Sequence, residues 1–250
     1  MKVGLINEYT HYSRTLGLHT KKDFEEKTNT IIESVNKHNL DILLAPEWYY
    51  LKCPFFTKEE KDWTLEKIIS NTPKETLILP GTFVWIYKEI KRAFRKTQLN
   101  FYNTAPIINN NRLQEYHKSR LNRESGEFGI ADESKDQYKI FKPTAGVENG
   151  KIFNWRNLEI GLEICIDYGK GCLSSKNIHY LDLQLVIACG IPFYKENTAI
   201  KDKGYLIICD GHQGKYETER FDNRIYQRKE DNFNKIQPIQ YTKHLDLYEI

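Results

Sequence analysis

The sequence predicts an α/β domain built on a parallel or mixed sheet, and three observations predict it. Residues 2–45 read as strand, helix and strand, the order of a parallel crossover unit. Further compact apolar runs recur at 76–87, 99–108, 158–164, 182–190 and 204–211, of a length that suits buried strands. Finally, 250 residues with 40% apolar and 28% charged side chains supply one sizeable core, and one domain over 1–250 is expected.

Each element has a local reason. Residues 2–7 are short, apolar and β-branched, and the polar stretch 8–20 reads as a loop. Over 21–39, Phe24, Ile31, Ile32 and Val35 recur at helical spacing between charges, which predicts an amphipathic helix. The run 41–45 is stopped by Pro46, so a second buried strand delivers Glu47 at its exit. A helix is expected over 58–70 with Trp63, Ile68 and Ile69 as its buried stripe, then two strands either side of Pro80-Gly81. Asn109-Asn110-Asn111 turns the strand 99–108 back into 113–117, a β-hairpin whose second arm delivers Lys118. Residues 119–138 are charged and aperiodic, a long loop of the kind that often carries function. After Ala145-Gly146 come Phe153 to Trp155, a strand ending at Cys165, a helix over 173–181, and strands over 182–190 and 204–211. The stretch 218–234 is polar and shows no period, and 245–248 is expected to return as a short edge strand.

Charge and cysteine usage exclude several classes. The net charge of +3 comes from basic and acidic residues interspersed along the chain, so no nucleic-acid partner is implied. Cys53, Cys165, Cys172, Cys189 and Cys209 form an odd set without a Cys-x-x-Cys pair, which fits free thiols in a reducing compartment. The N-terminal segment is too short in apolar residues for a signal peptide, and no run approaches the roughly 20 apolar residues of a membrane span. A cytoplasmic protein without a membrane partner is expected. His117, His179 and His212 show no zinc-like spacing with the cysteines, and no metal is expected.

The chemistry gathers at strand ends. Residues 158–169 alternate and then meet Cys165-Ile166-Asp167-Tyr168-Gly169, a strand running into a tight turn where a thiol can be displayed. Taken alone, a cysteine in an apolar strand is more often a small buried hydrophobe, and only partners elsewhere in the chain reverse that reading. Glu47, Lys118 and Cys165 all stand where a parallel or mixed sheet brings strand ends to one edge. A carboxylate screened from water can take a thiol proton, and an ammonium beside the thiolate stabilises the anion formed when it adds to a carbonyl or nitrile carbon. Glu47 is then the base, Lys118 the electrostatic stabiliser and Cys165 the nucleophile. Asp167 reads as a structural residue holding the turn. Trp48, Tyr49, Tyr50 and Phe128 are candidates for a pocket wall, with the core as the competing place for each.

These residues resemble the nitrilase or carbon–nitrogen hydrolase superfamily. Leu43-Leu44-Ala45-Pro46-Glu47, Tyr116-His117-Lys118-Ser119-Arg120-Leu121 and Gly161-Leu162-Glu163-Ile164-Cys165-Ile166-Asp167 are similar to its three motifs and occur in its order. Gly81-Thr82, Tyr102-Asn103-Thr104-Ala105 and 182–186 also resemble stretches of that family, over residues 2 to about 211. The resemblance implies a four-layer α-β-β-α sandwich of two mixed sheets flanked by helices, a Glu-Lys-Cys triad, a covalent thioester or thioimidate, no cofactor, and a homodimer or larger assembly. It also implies a second glutamate after the lysine. Gly126-Glu127-Phe128 carries the expected flanks, so Glu127 is preferred, with Glu124 as the competitor.

The implied activity is hydrolysis of a small linear amide, with the backbone N–H of Ile166 helping Lys118 to hold the oxyanion. A nitrile substrate, acyl transfer to an amine, or a catalytically silent nitrilase-like binding protein are the alternatives. Tyr168-Gly169-Lys170-Gly171 stands where many members have Arg-Phe-Pro, and the region after Asp210 is expected to lack the usual strand-rich ending.

Overall fold

A computed structural model describes residues 1–10, 21–52, 55–91, 96–121, 127–128, 131, 138–176, 180–212 and 223–250. Two sheets stack face to face. The first, nine-stranded among the described residues, runs β14-β15-β1-β2-β3-β5-β4, with β6 and β7 also paired to β5. Its strands are β1 (Lys2–Ile6), β2 (Ile42–Leu44), β3 (Leu77–Leu79), β4 (Phe83–Ile90), β5 (Thr97–Asn109), β6 (Arg112–His117), β7 (Lys139–Pro143), β14 (Gln240–Tyr241) and β15 (Leu245–Glu249). The second runs β13-β12-β11-β10-β9-β8, from β8 (Lys151–Trp155), β9 (Leu158–Ile164), β10 (Leu181–Ala188), β11 (Ile200–Asp210), β12 (Arg224–Lys229) and β13 (Asn232–Ile236). Both are mixed: β1, β2 and β3 run parallel, as do β9, β10 and β11, while hairpins close the flanks.

Strand alternation decides the packing. Leu5, Ile42, Leu44 and Leu79 from the first sheet meet Ile160, Leu162, Leu185 and Ile187 from the second in one buried layer. The intervening side chains, Leu43, Ala45 and Ile78, face outward under two helices. These are α1 (Lys21–His38) and α2 (Lys58–Ser70). The buried positions of α1, among them Phe24, Thr28, Ile31 and Val35, have the three- and four-residue spacing of one helical face. α2 starts on a capping box, Thr57 with Glu60, which satisfies two otherwise unpaired backbone N–H groups. Its buried face is Lys61, Thr64, Leu65 and Ile68. Trp63 instead stands 51% exposed, because its place on the helix is opposite that face. Lys61 is tolerated inside by its ion pairs with Glu115 and Asp62.

The outer face of the second sheet has a thinner cover. One turn, α3 (Ile166–Gly169), and 3-10 turns at Ser174–Lys176 and Lys195–Asn197 lie over it, with Tyr168, Leu173 and Ile191 packed on Val186, Ala188, Leu206 and Ile208. Of the stretch 173–181 expected as a helix, the described residues form a 3-10 turn at Ser174–Lys176, Leu181 already belongs to β10, and 177–179 lie outside the described residues.

The expectation of a strand-poor ending is also corrected, since β12 to β15 all follow Asp210. Residues 245–248 are not at an edge either: β15 lies between β1 and β14. Cys53, Glu124, Gly126, His179 and most of the loops 8–20 and 119–138 lie outside the described residues. No helix among the described residues is long and apolar enough to cross a membrane.

Candidate active site

The end of β2 carries Pro46 and then Glu47, whose backbone N–H donates to Ala188 O at 3.2 Å and so joins the exits of β2 and β10. The approach is close. A Cβ on Gly81 would sit 2.5 Å from Tyr49 Cβ and 2.7 Å from Pro46 O, and Gly81 itself has φ +89°, so glycine is required on both counts. Lys118 continues β6 and donates its own N–H to Asn103 O at 2.9 Å, which sets it beside the central part of β5. Cys165 leaves β9 with its N–H on Ile187 O at 2.9 Å. Its φ of 47° and ψ of −104° lie in a region side chains rarely adopt, the sort of strain that clusters at functional turns. Trp48, beside Glu47, also has positive φ, at 68°.

Asp167 fastens these strand ends together. Its carboxylate accepts from Tyr116 Oη at 2.7 Å, Ser119 N at 3.2 Å, Ser119 Oγ at 2.9 Å and Arg120 N at 2.7 Å. The turn after Cys165 is thereby tied to the residues either side of Lys118. The structural role expected of Asp167 is what its contacts describe.

Inside, Lys118 Nζ lies 2.7 Å from Glu47 Oε1 and 2.8 Å from Glu127 Oε1. The amide Nδ2 of Asn103 donates to the same two oxygens, at 2.9 and 3.0 Å. Glu47, Lys118, Glu127 and Asn103 are all buried, while Cys165 is half-buried. Burial pushes the Glu47 carboxyl up, Lys118 opposes this, and Glu127 adds to it. Burial works against the Lys118 ammonium, but Glu127, Glu47 and the Cys165 thiol outweigh it and hold the lysine well above its ordinary value. Burial and the Glu47 carboxylate push the Cys165 thiol up, against the pull of Lys118. In the resting site the thiol therefore keeps its proton beside a carboxylate whose own affinity for protons is raised.

The remaining candidates separate. Trp48 is buried, with Lys118 Nζ 5.7 Å from its ring centroid, and belongs to an apolar cluster with Leu51, Phe55, Val84 and Phe101, against which Cys189 packs. Ile166 and Phe128 are half-buried. Ile166 begins α3 next to the thiol, and Phe128 follows Glu127. Tyr49 is removed from the pocket wall: its Oη donates to Lys27 O at 3.3 Å, and its ring packs on Tyr50 under α1. Tyr50 is core as well, stacked on Phe83 at 4.2 Å. Asn103 is the member that sequence reasoning did not single out. The signal was present, because Leu99, Phe101, Asn103, Ala105 and Ile107 alternate as the buried side of β5, and Asn103 is the polar residue in that row.

Compared by sequence, the chain matches no family model and no curated protein. Compared by structure, it is similar to the glutamine-dependent NAD+ synthetase of Acinetobacter baumannii, with TM-score 0.60 and 14% identity over 98% of this chain. It spans 44% of that longer protein. A mutant amidase from Nesterenkonia sp. AN1, solved in complex with butyramide, aligns over 100% of this chain and 90% of its own, with TM-score 0.59 and 12% identity. Nit3 of Saccharomyces cerevisiae, a member of branch 10 of the nitrilase superfamily, aligns over 100% and 90% with TM-score 0.56 and 11% identity. The chain has the nitrilase-like fold of carbon–nitrogen hydrolases.

Proposed function

We propose that this protein is a cysteine-dependent hydrolase of non-peptide C–N bonds, acting on a small linear amide through a thioester on Cys165. The observation that carries the reading is the buried contact of Lys118 with Glu47 and Glu127 at the strand edge where Cys165 exits β9. Butyramide in the similar Nesterenkonia amidase is such a small linear amide, which supports the choice of substrate class.

In this reading Glu47 takes the proton of Cys165 as the sulfur adds to the carbonyl carbon. An ammonium has three N–H donors. Two of those on Lys118 face carboxylates, and the third, with the N–H of Ile166, receives the developing oxyanion. Protonated Glu47 then gives its proton to the nitrogen, the C–N bond breaks, and ammonia or an amine leaves. Glu47 next takes a proton from water, whose oxygen attacks the thioester. The carboxylic acid departs and the thiol is restored. Glu127 holds Lys118 in place, and Trp48 and Phe128 border the substrate. A cytoplasmic homodimer is the assembly that this reading expects.

Ammonia release from a panel of amides, ureas and nitriles, measured for wild type and Cys165→Ala, tests the proposal. Release from small amides that vanishes in Cys165→Ala is expected. Folded wild-type protein that releases no ammonia from any of them overturns it in favour of a binding role.

A further inference from the structure

Asn103 lies on the inward side of β5, buried, between two carboxylates. Its Nδ2 donates one hydrogen to Glu47 Oε1 and one to Glu127 Oε1. Its Oδ1 is buried without a hydrogen-bond partner among the described residues. A buried carbonyl left unpaired is disfavoured, and turning the amide over would aim that oxygen at both carboxylates. The two carboxylates therefore fix which way round Asn103 sits.

The consequence falls on Glu47. Its Oε1 already accepts from Lys118 at 2.7 Å and from Asn103 at 2.9 Å, so a proton on that oxygen would face two donors that cannot accept it. We propose that Asn103 is a positioning residue: with Lys118 it closes a ring of hydrogen bonds on Oε1 of both glutamates and leaves Glu47 Oε2 as the oxygen that exchanges a proton with Cys165. This rests on the hydrolase reading above and adds to it the atom that carries the proton. The charged and titratable groups around Glu47 are Lys118 from the end of β6, Glu127, Cys165 after β9 and Cys189 after β10. Trp48 gives Glu47 one further neutral hydrogen bond from its single indole N–H, and neither it nor these groups can donate two neutral hydrogen bonds in Asn103's place.

The test is the rate of Cys165 alkylation by iodoacetamide, followed by intact mass between pH 4 and 9, for wild type, Asn103→Leu and Asn103→Asp. Removing the two donors makes the carboxylate form of Glu47 less favourable. Asn103→Leu therefore shifts the midpoint of the profile up by about one pH unit, a roughly tenfold loss of rate on the acid limb. Asn103→Asp adds a third carboxylate and shifts it further. That variant keeps the size of the side chain, so the test stands if Asn103→Leu does not fold. A role confined to packing lowers the melting temperature and leaves the midpoint alone, and superimposable profiles in the folded variants overturn the proposal. Wild-type protein that is not selectively alkylated at Cys165 would instead overturn the hydrolase reading itself.

Discussion

In the proposed mechanism, replacing Glu47 by Gln removes the base and little else. Of the two carboxylate oxygens, Oε1 holds Lys118 at 2.7 Å and Asn103 at 2.9 Å, and an amide oxygen in its place keeps both bonds. They lose charge assistance, a cost of about 1 kcal/mol, and the penalty of burying the carboxylate's charge, which raises Glu47 in the wild type, is gone. The two effects oppose each other, so the melting temperature moves by no more than about 2–4 °C. Activity behaves differently. The NH2 that replaces Oε2 takes no proton from Cys165, and a positioned general base is worth about 10²–10⁴ in rate, or about 3–5 kcal/mol of barrier. The assay is kcat/KM for a small amide across pH, with circular dichroism and melting as controls for folding. Wild type should show an acid limb above the ordinary glutamate range, because burial raises Glu47. Glu47→Gln shows a rate lower by about two to four decades with that limb absent. A folded variant within tenfold of wild type at all pH values refutes the assignment of Glu47 as base.

Two further perturbations probe the frame around the site. In Asp167→Asn an NH2 faces two of the four donors the carboxylate now satisfies, which costs about 2–4 kcal/mol. Chemical denaturation should show that loss. Because Lys118 adjoins Ser119, turnover should fall about 10–100-fold through misplacement of the ammonium; unchanged stability and turnover would contradict this. Glu163, two residues before Cys165, accepts from Leu173 N at 2.9 Å and Gln184 Nε2 at 2.7 Å, and burial raises its carboxyl to about 7. A raised carboxyl contributes stability that is full below about pH 4.5 and is lost as pH rises through about 7, a change of about 3 kcal/mol. The stability gap between wild type and Glu163→Gln, measured by urea unfolding at pH 5 and pH 8.5, should therefore move in favour of the variant at the higher pH. Parallel pH dependences would show that Glu163 does not titrate in this range.

The parts of the fold legible in the sequence are those whose side chains must choose between two buried faces. β1, β2, β9 and β10 lie between other strands, so each carries a buried apolar row, continuous in β2 and alternating in β9, and those two end abruptly at Pro46 and Cys165. Glu47 and Cys165 were readable because each ends such a strand and Lys118 because it ends the second arm of a hairpin, and the flanks of all three resemble motifs of the nitrilase superfamily. β13 was not readable, since its residues are exposed or half-exposed throughout, and β12 begins with Arg224, buried only because Asp210 and Ile191 O receive its guanidinium. Neither strand has an apolar alternation to detect. Tyr49 misled for another reason: adjacency to Glu47 in sequence says nothing about direction, and past Trp48, with its φ of 68°, the Tyr49 ring lies under α1. Trp63 illustrates the limit of composition, because a large aromatic on a helix is buried only if it shares a face with the other apolar residues. Asn103 was visible as a polar residue in an apolar alternation, but its meaning depends on Glu127, which stands in a helical turn within a stretch whose sequence shows no period.

The central claim is that Cys165 forms a covalent acyl intermediate, and acid-quenched protein mixed with a saturating small amide tests it most directly. Peptide mapping should find the acyl mass as a thioester on the Cys165 peptide, and Cys165→Ala should have neither the adduct nor turnover. Turnover that persists in Cys165→Ala, or an acyl group on another side chain such as Cys189, would contradict the account.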